Sequence, residues 1–147
     1  MTIRVLVADD QAMIRGALAG LLDLERDIEV VAQAADGAQA LDELARLASA
    51  DAPAHASAPV DVAIIDVEMP RMDGITATQA IRSRFPGVRV LIVTTFGRPG
   101  YLQRALDAGA TGFTVKDAPV ETLAEGVRTV AAGGRAIDQN LALEALA

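Results

Sequence analysis

Short runs of apolar residues alternate along this chain with stretches in which apolar positions recur every three or four residues. Residues 3–8, 28–34, 60–65, 88–94 and 112–115 are dominated by Val, Ile, Leu and Ala and read as strands. Between and after them, residues 11–24, 38–50, 73–85, 99–108 and 119–132 carry helical spacing: Met13, Leu18, Leu21 and Leu22 in the first, Leu41, Leu44, Ala45 and Ala48 in the second. The punctuation agrees. Asp73 is placed to cap the third helix, Pro86-Gly87 stops it, Gly109 closes the fourth and Gly133-Gly134 the fifth. Strands that alternate with helices predict an α/β fold, a doubly wound (βα)5 parallel sheet with helices on both faces.

Two segments break the alternation. Residues 50–59 read ADAPAHASAP, which offers almost nothing to bury and predicts a surface loop. That loop holds the single histidine, His55, which lacks the helical platform and neighbouring acid or base that a phosphorylated histidine needs. At the other end, residues 137–147 contain Leu141, Leu143 and Leu146 and no stop signal, and we read residues 135–147 as the start of a linker helix. Residues 1–134 then form one domain.

Composition narrows the class. The 147 residues suffice for one full core, and with 52% hydrophobic but only 3% aromatic residues that core must be aliphatic. No run approaches the roughly 18 apolar residues of a membrane span, and the chain enters its first strand without a signal-peptide pattern. The absence of cysteine excludes disulfides and thiolate metal sites, so a cytoplasmic location is expected. A net charge of −7 argues against this chain alone gripping a phosphate backbone.

The chemistry gathers where strands end. Asp9 and Asp10 follow the first strand, Asp66 the third, Thr94 closes the fourth, with Thr95 beside it, and Lys116 follows the fifth. In an open parallel sheet these carboxyl ends share one edge, and ligands bind there at the point where strand order reverses. Each residue alone has an ordinary reading: an N-cap for Asp10, a turn former for Asp66, a strand-end β-branched residue for Thr94 and a snorkelling side chain for Lys116. Together, three carboxylates repel one another unless a cation neutralises them. A hard divalent ion such as Mg²⁺ suits their oxygens and leaves Asp66 ionised and nucleophilic towards a phosphoryl group. Lys116 adds a fixed positive charge for phosphoryl oxygens, and Thr94 a hydroxyl donor. Met13, Met69 and Met72 are read as packing residues.

These positions, with D-V-E-M-P-R-M-D-G from Asp66 to Gly74 and G-F-T-V-K from Gly112 to Lys116, resemble the receiver domain of two-component response regulators. The stretch from Thr94 to Pro119 further resembles the LuxR/NarL type, in which a receiver precedes a C-terminal helix-turn-helix. The resemblance implies a flavodoxin-like sheet in the order 2-1-3-4-5. It implies that Asp66 is the phosphoacceptor, Asp10 a direct Mg²⁺ ligand, Asp9 its acidic companion and Glu68 the donor of a backbone carbonyl to the metal. Thr94 becomes the switch hydroxyl, Lys116 the phosphoryl-pairing lysine and Phe113 the aromatic that changes rotamer on activation. Glu68 and Phe96 fall at positions that tune phosphate lifetime. Two departures stand out: Asp117 replaces the proline common after this lysine, and residues 50–59 lengthen the approach to the third strand.

On this reading a sensor histidine kinase phosphorylates Asp66, and the change travels through Thr94 and Phe113 to the face built by the fourth helix, fifth strand and fifth helix. DNA is contacted only through a missing C-terminal domain. Homodimerisation on phosphorylation is expected through the first and fifth helices, where Ile14, Leu18, Leu21 and Leu22, and Val120, Leu123, Val127 and Val130, offer more apolar positions than one core stripe needs. The alternative is a small Mg²⁺-dependent aspartyl-phosphate phosphatase or phosphotransferase. Such enzymes usually carry a second acid two residues after the nucleophile, where Glu68 stands, but they also use a substrate-covering cap for which this chain has no room.

Overall fold

Alternation of side chains along each strand decides the architecture. The computed structural model describes residues 2–49, 58–95, 100–138 and 142. In chain order the elements are β1 (Ile3–Ala8), α1 (Ala12–Asp23), β2 (Ile28–Ala34), α2 (Gly37–Ser49), β3 (Val62–Asp66), α3 (Gly74–Arg84), β4 (Arg89–Thr94), α4 (Tyr101–Ala108), β5 (Gly112–Val115), α5 (Val120–Ala131) and β6 (Ala136–Ile137). All strand pairs are parallel, in the order β2-β1-β3-β4-β5-β6.

Both faces of the sheet are covered, so β3 is buried along its whole length and β4 everywhere but at Arg89. Leu6, Ala63, Ile65, Val90, Ile92 and Phe113 face α2, α3 and α4 through Leu41, Leu44, Ile75, Ile81, Leu102 and Ala105. Their neighbours one residue along, Val5, Val7, Val62, Ile64, Leu91 and Val93, face α1 and α5 through Leu22, Leu123, Val127 and Val130. This period of two is why the strands read as unbroken apolar runs.

Several expectations need adjustment. Val60 is buried but precedes the third strand, because Asp61 bends away to accept the Arg4 amide on its side chain (2.9 Å). Ile137, expected in a helix, instead ends β6, whose pairing of Ala136 with Gly112 and Ile137 with Phe113 adds a sixth strand at the β5 edge. The rest of the expected linker helix lies outside the described residues apart from Asp138 and Ala142, as do residues 50–57 of the expected loop, including His55.

Met13, expected to pack inward, is 88% exposed, and Leu21 and Leu24 are exposed as well. By contrast Leu123, Val127 and Val130 of α5, read as surplus for a contact, are core residues, and Val120 is half-buried. Opposite α1, Arg128 ties α5 to the turn after α1 by a paired contact with Asp27 (Nε to Oδ2 2.8 Å, Nη2 to Oδ1 3.0 Å) and by Glu25 (2.7 Å). The guanidinium hydrogen bond to Asp27 holds that carboxyl below its usual range.

Leu22 is fully buried between α1 and the sheet, so Leu22→Ala should cost about 2–5 kcal/mol of stability. Met13→Ala, on the exposed side of the same helix, should change stability by less than about 0.5 kcal/mol. Urea unfolding of both variants checks the pair.

Candidate functional site

Parallel register brings the chemistry together. Ala8 pairs with Ile65, so Asp9 and Asp66, each one residue further on, emerge side by side. Asp66 in turn pairs with Val93, one residue before Thr94, and Thr94 pairs with Val115, one residue before Lys116. The Lys116 amide donates to the Thr94 carbonyl (2.8 Å), which fixes the start of the lysine side chain over the ends of β3 and β4. Because β1 lies between β2 and β3, the order reverses at this edge, where an open α/β sheet leaves its crevice.

The crevice is a cavity of about 610 Å³. Asp10, Asp66, Glu68, Thr94 and Lys116 all line it. Asp9 lies just beneath, 1% exposed, and Asp66 is 5% exposed. The Lys116 ammonium sits 2.8 Å from Asp9 Oδ2 and 3.0 Å from Asp66 Oδ2. Only the contact with Asp66 is aligned as a hydrogen bond; Asp9 Oδ2 is buried with a close counter-charge and no directed donor. Asp9 Oδ1 accepts the Gln11 amide (2.9 Å), so Asp9, rather than Asp10, supports the start of α1.

Burial dominates the electrostatics. It pushes the Asp66 carboxyl above its ordinary range, and the nearby Asp9 charge adds to that, against the opposing pull of Lys116 and the Glu68 amide. For Lys116 burial acts downward, but its close contacts with the Asp9 and Asp66 carboxylates outweigh it and hold the ammonium above its ordinary range.

The donor set fits a hard divalent cation. Asp9, Asp10 and Asp66 can each present one carboxylate oxygen with all three oxygens within 4.8 Å of one another. Three carboxylates against one ammonium leave two negative charges, which one Mg²⁺ would cancel, and the undirected Asp9 Oδ2 is a ready acceptor for an ion or its water.

The loop after β3 is shaped by close backbone approach. Gly74 opens α3 with its amide on the Val67 carbonyl (2.8 Å), and a Cβ there would lie 2.0 Å from the Asp66 carbonyl oxygen. Asp73 caps α3 as expected, accepting the Thr76 amide (2.9 Å). Phe113 is buried in the core below the cavity, and Met69 packs there as expected. The peptide bond after Lys116 is trans. Phe96 lies outside the described residues.

Sequence reading missed Tyr101 and Arg104, which also line the cavity, with the Tyr101 hydroxyl 3.4 Å from Glu68 Oε1 and the Arg104 guanidinium 5.8 Å from the tyrosine ring centre. Both belong to α4, whose turn spacing (three residues apart) was the available signal. It also passed over Asp36, a buried carboxylate before α2 whose D-x-x-Q pattern with Gln39 marks a capping arrangement.

Comparison with known proteins agrees with this geometry. The family model "Response regulator receiver domain" matches residues 5–128. The chain is 40% identical over 133 residues to the transcriptional regulatory protein DesR of Bacillus subtilis, covering 90% of this chain and 60% of that protein. It is 38% identical over 139 residues to the transcriptional regulatory protein YvfU of the same organism, covering 95% and 64%. The chain thus spans less than two thirds of the length of these relatives. Among solved structures it is similar to a LuxR-family two-component response regulator from Aurantimonas (TM-score 0.86, 26% identity, 99% of this chain and 96% of that one). It is also similar to the signal receiver domain of the putative response regulator NarL of Mycobacterium tuberculosis (TM-score 0.77, 34% identity, 90% and 98%). These likenesses do not favour the phosphatase alternative.

A raised carboxyl pKa means that the ionised form of Asp66 weakens the fold. The stability that goes with the protonated carboxyl is fully present below the unfolded-state value and is lost as pH rises through the folded-state value. In chelator, Asp66→Asn should therefore melt at a higher temperature than the parent at pH 7, with the gap closing as pH drops below the carboxylate range. A thermal melt series across pH checks the sign.

Proposed function

The chain belongs to the response-regulator receiver family, of the LuxR/NarL-type transcriptional regulators, and from that premise we propose that Asp66 accepts a phosphoryl group from a sensor histidine kinase. The observation that carries this reading is the placement of Asp66 in the cavity, backed by Lys116 at 3.0 Å and crowded by Asp9 and Asp10. One Asp66 carboxylate oxygen attacks phosphorus in line; the new bond is P–O, the P–N bond of the donor phosphohistidine breaks, and its electron pair leaves on the imidazole nitrogen. Asp9, Asp10, Asp66 and the Glu68 carbonyl would hold Mg²⁺, which supplies charge neutralisation between the carboxylates and the phosphoryl oxygens.

Lys116 moves its pairing from the carboxylate to a phosphoryl oxygen, and Thr94, in the cavity wall, donates its hydroxyl to another. That pull on the end of β4 reaches Phe113 on the neighbouring strand, where Ile92 pairs with it, and changes the population of two arrangements of the α4–β5–α5 face. The domain turns over no outside substrate. It acts only on its own phosphoryl group, gaining it from the donor and losing it to water in the same cavity.

We place the protein in the cytoplasm and assign DNA contact to a part of the regulator outside this chain, whose net charge is −7. For self-association the structure of α1 redirects the expectation. Met13, Leu21 and Leu24 are exposed, Met13 and Leu24 fall on one side of the helix with Ala17 and Gly20 between them, and α5 contributes a polar rim through Glu121, Glu125 and Thr129. Homodimerisation on phosphorylation would use α1 as its apolar centre.

Incubation with acetyl phosphate and Mg²⁺ should add one phosphoryl group at Asp66, read by intact mass and peptide mapping. Asp66→Asn, or the parent in excess chelator, should add none; full labelling of either would remove Asp66 or the metal from the reaction. Sedimentation should show the phosphorylated form heavier than the unphosphorylated one, with Leu21→Glu/Leu24→Glu returning it to monomer. Two monomeric forms at high concentration would place dimerisation elsewhere in the regulator.

A further inference from the structure

The loop between β3 and α3 is clamped from the side by a pair of residues that no part of the phosphoryl chemistry touches. Asp36, at the start of α2, is 0% exposed. Its Oδ1 accepts the Gln39 amide (2.8 Å), and its Oδ2 accepts Arg71 Nε (2.7 Å) and also meets Arg71 Nη2. The Gln39 amide and the Arg71 guanidinium together hold the Asp36 carboxyl below its ordinary range. Arg71 lies three residues after Glu68, and its φ of +64° puts a non-glycine residue in the left-handed region. A residue held there needs surrounding contacts that fix it.

A second link lies beside the first. The Gly37 amide donates to the Met72 carbonyl (3.2 Å), and a Cβ on Gly37 would lie 2.8 Å from Met72 Cγ, 2.8 Å from the Met72 carbonyl oxygen and 2.9 Å from Ala77 Cβ. The N-terminal end of α2 is therefore seated directly on the loop. At its other side, the loop is tied by the Gly74 amide to Val67. Glu68 stands between these fixed points.

We propose that Asp36 and Arg71 are positioning residues for the divalent-cation site: the ion pair between the buried Asp36 carboxylate and the largely exposed Arg71 guanidinium holds the loop of residues 67–73 so that the Glu68 carbonyl is presented to the ion bound by Asp9, Asp10 and Asp66. A carbonyl on an unrestrained loop must be ordered when the ion binds, and that ordering lowers affinity; a loop already seated has lost that freedom in advance. The left-handed Arg71 orients its side chain back to α2, so the ion pair and the backbone conformation support each other. This inference rests on the metal-binding reading above.

Two measurements separate it from that reading. In the metal-free protein, Arg71→Ala should speed amide exchange at Gly37 about tenfold, because the neighbouring link is lost while the solvent-exposed arginine site tolerates the change. In calorimetry with MgCl₂, Arg71→Ala and Arg71→Gly should each raise the Mg²⁺ dissociation constant about fivefold, and Asp36→Asn/Arg71→Ala should add little to the effect of Asp36→Asn alone. Arg71→Gly relieves the left-handed strain, so parent-like affinity in that variant alone would assign the effect to backbone conformation and overturn the ion-pair role. Unchanged exchange at Gly37, or unchanged Mg²⁺ affinity in both Arg71 variants beside a parent that binds the ion, overturns the clamp and leaves the metal site standing. A parent that binds no Mg²⁺ overturns the metal site itself, and the coupling with it.

Discussion

Two buried carboxylates on adjacent parallel strands must share one ammonium group, and the arrangement of the sheet edge follows from that requirement. Asp9 and Asp66 cannot separate, because the β1–β3 register fixes their backbones side by side, and both are largely withdrawn from water, Asp9 beneath the cavity and Asp66 at its wall. Lys116 comes from the end of β5, two strands from Asp66 and three from Asp9, its backbone hydrogen-bonded to Thr94, and reaches both acids. One positive charge does not balance Asp9, Asp10 and Asp66. The remaining negative charge is of the kind a divalent cation offsets, and it repels an approaching anion.

Such a site works only if its walls hold still, and here backbone contacts keep them in place. Gly74 lets α3 begin against the Asp66 carbonyl at a separation that any side chain would prevent, and Gly37 does the same for α2 against Met72. Two helix starts therefore converge on the loop that follows Asp66. Asp73 and Asp36, each capping its own helix, add directed hydrogen bonds to those contacts. Thr94, α4 and β5 stand on the other side of the cavity from this loop.

The two helices on the opposite face of the sheet divide their labour in a way their composition conceals. α5 buries Leu123, Ala124, Val127 and Val130 and turns Glu121, Glu125 and Thr129 outward. α1 fully buries only Ala19 and Leu22, and leaves Met13, Leu21 and Leu24 to solvent beside Gly16, Ala17 and Gly20. Both helices carry many apolar residues, but only α1 has an apolar outer surface. The Arg128 network with Glu25 and Asp27 ties α5 to the turn that follows α1.

The alternation of apolar runs with helical spacing was enough for the five strands and five helices, since strand and helix periodicities are local properties. The site residues were legible for the same reason: Asp9, Asp10, Asp66, Thr94 and Lys116 mark ends of apolar runs, and a parallel sheet has only one edge on which such ends can meet. What stayed hidden depended on contacts between elements distant in sequence. No pattern within residues 136–137 announces a strand, because two residues pair only when β5 already offers an open edge. Met13 and Val127 are equally apolar at equally helical positions, and only the angle at which each helix lies on the sheet decides that one faces water and the other the core. The link from Asp36 to Arg71 spans 35 residues, and the approach of a helix start to a loop, not any local preference, turns an ordinary capping aspartate into a brace for the site.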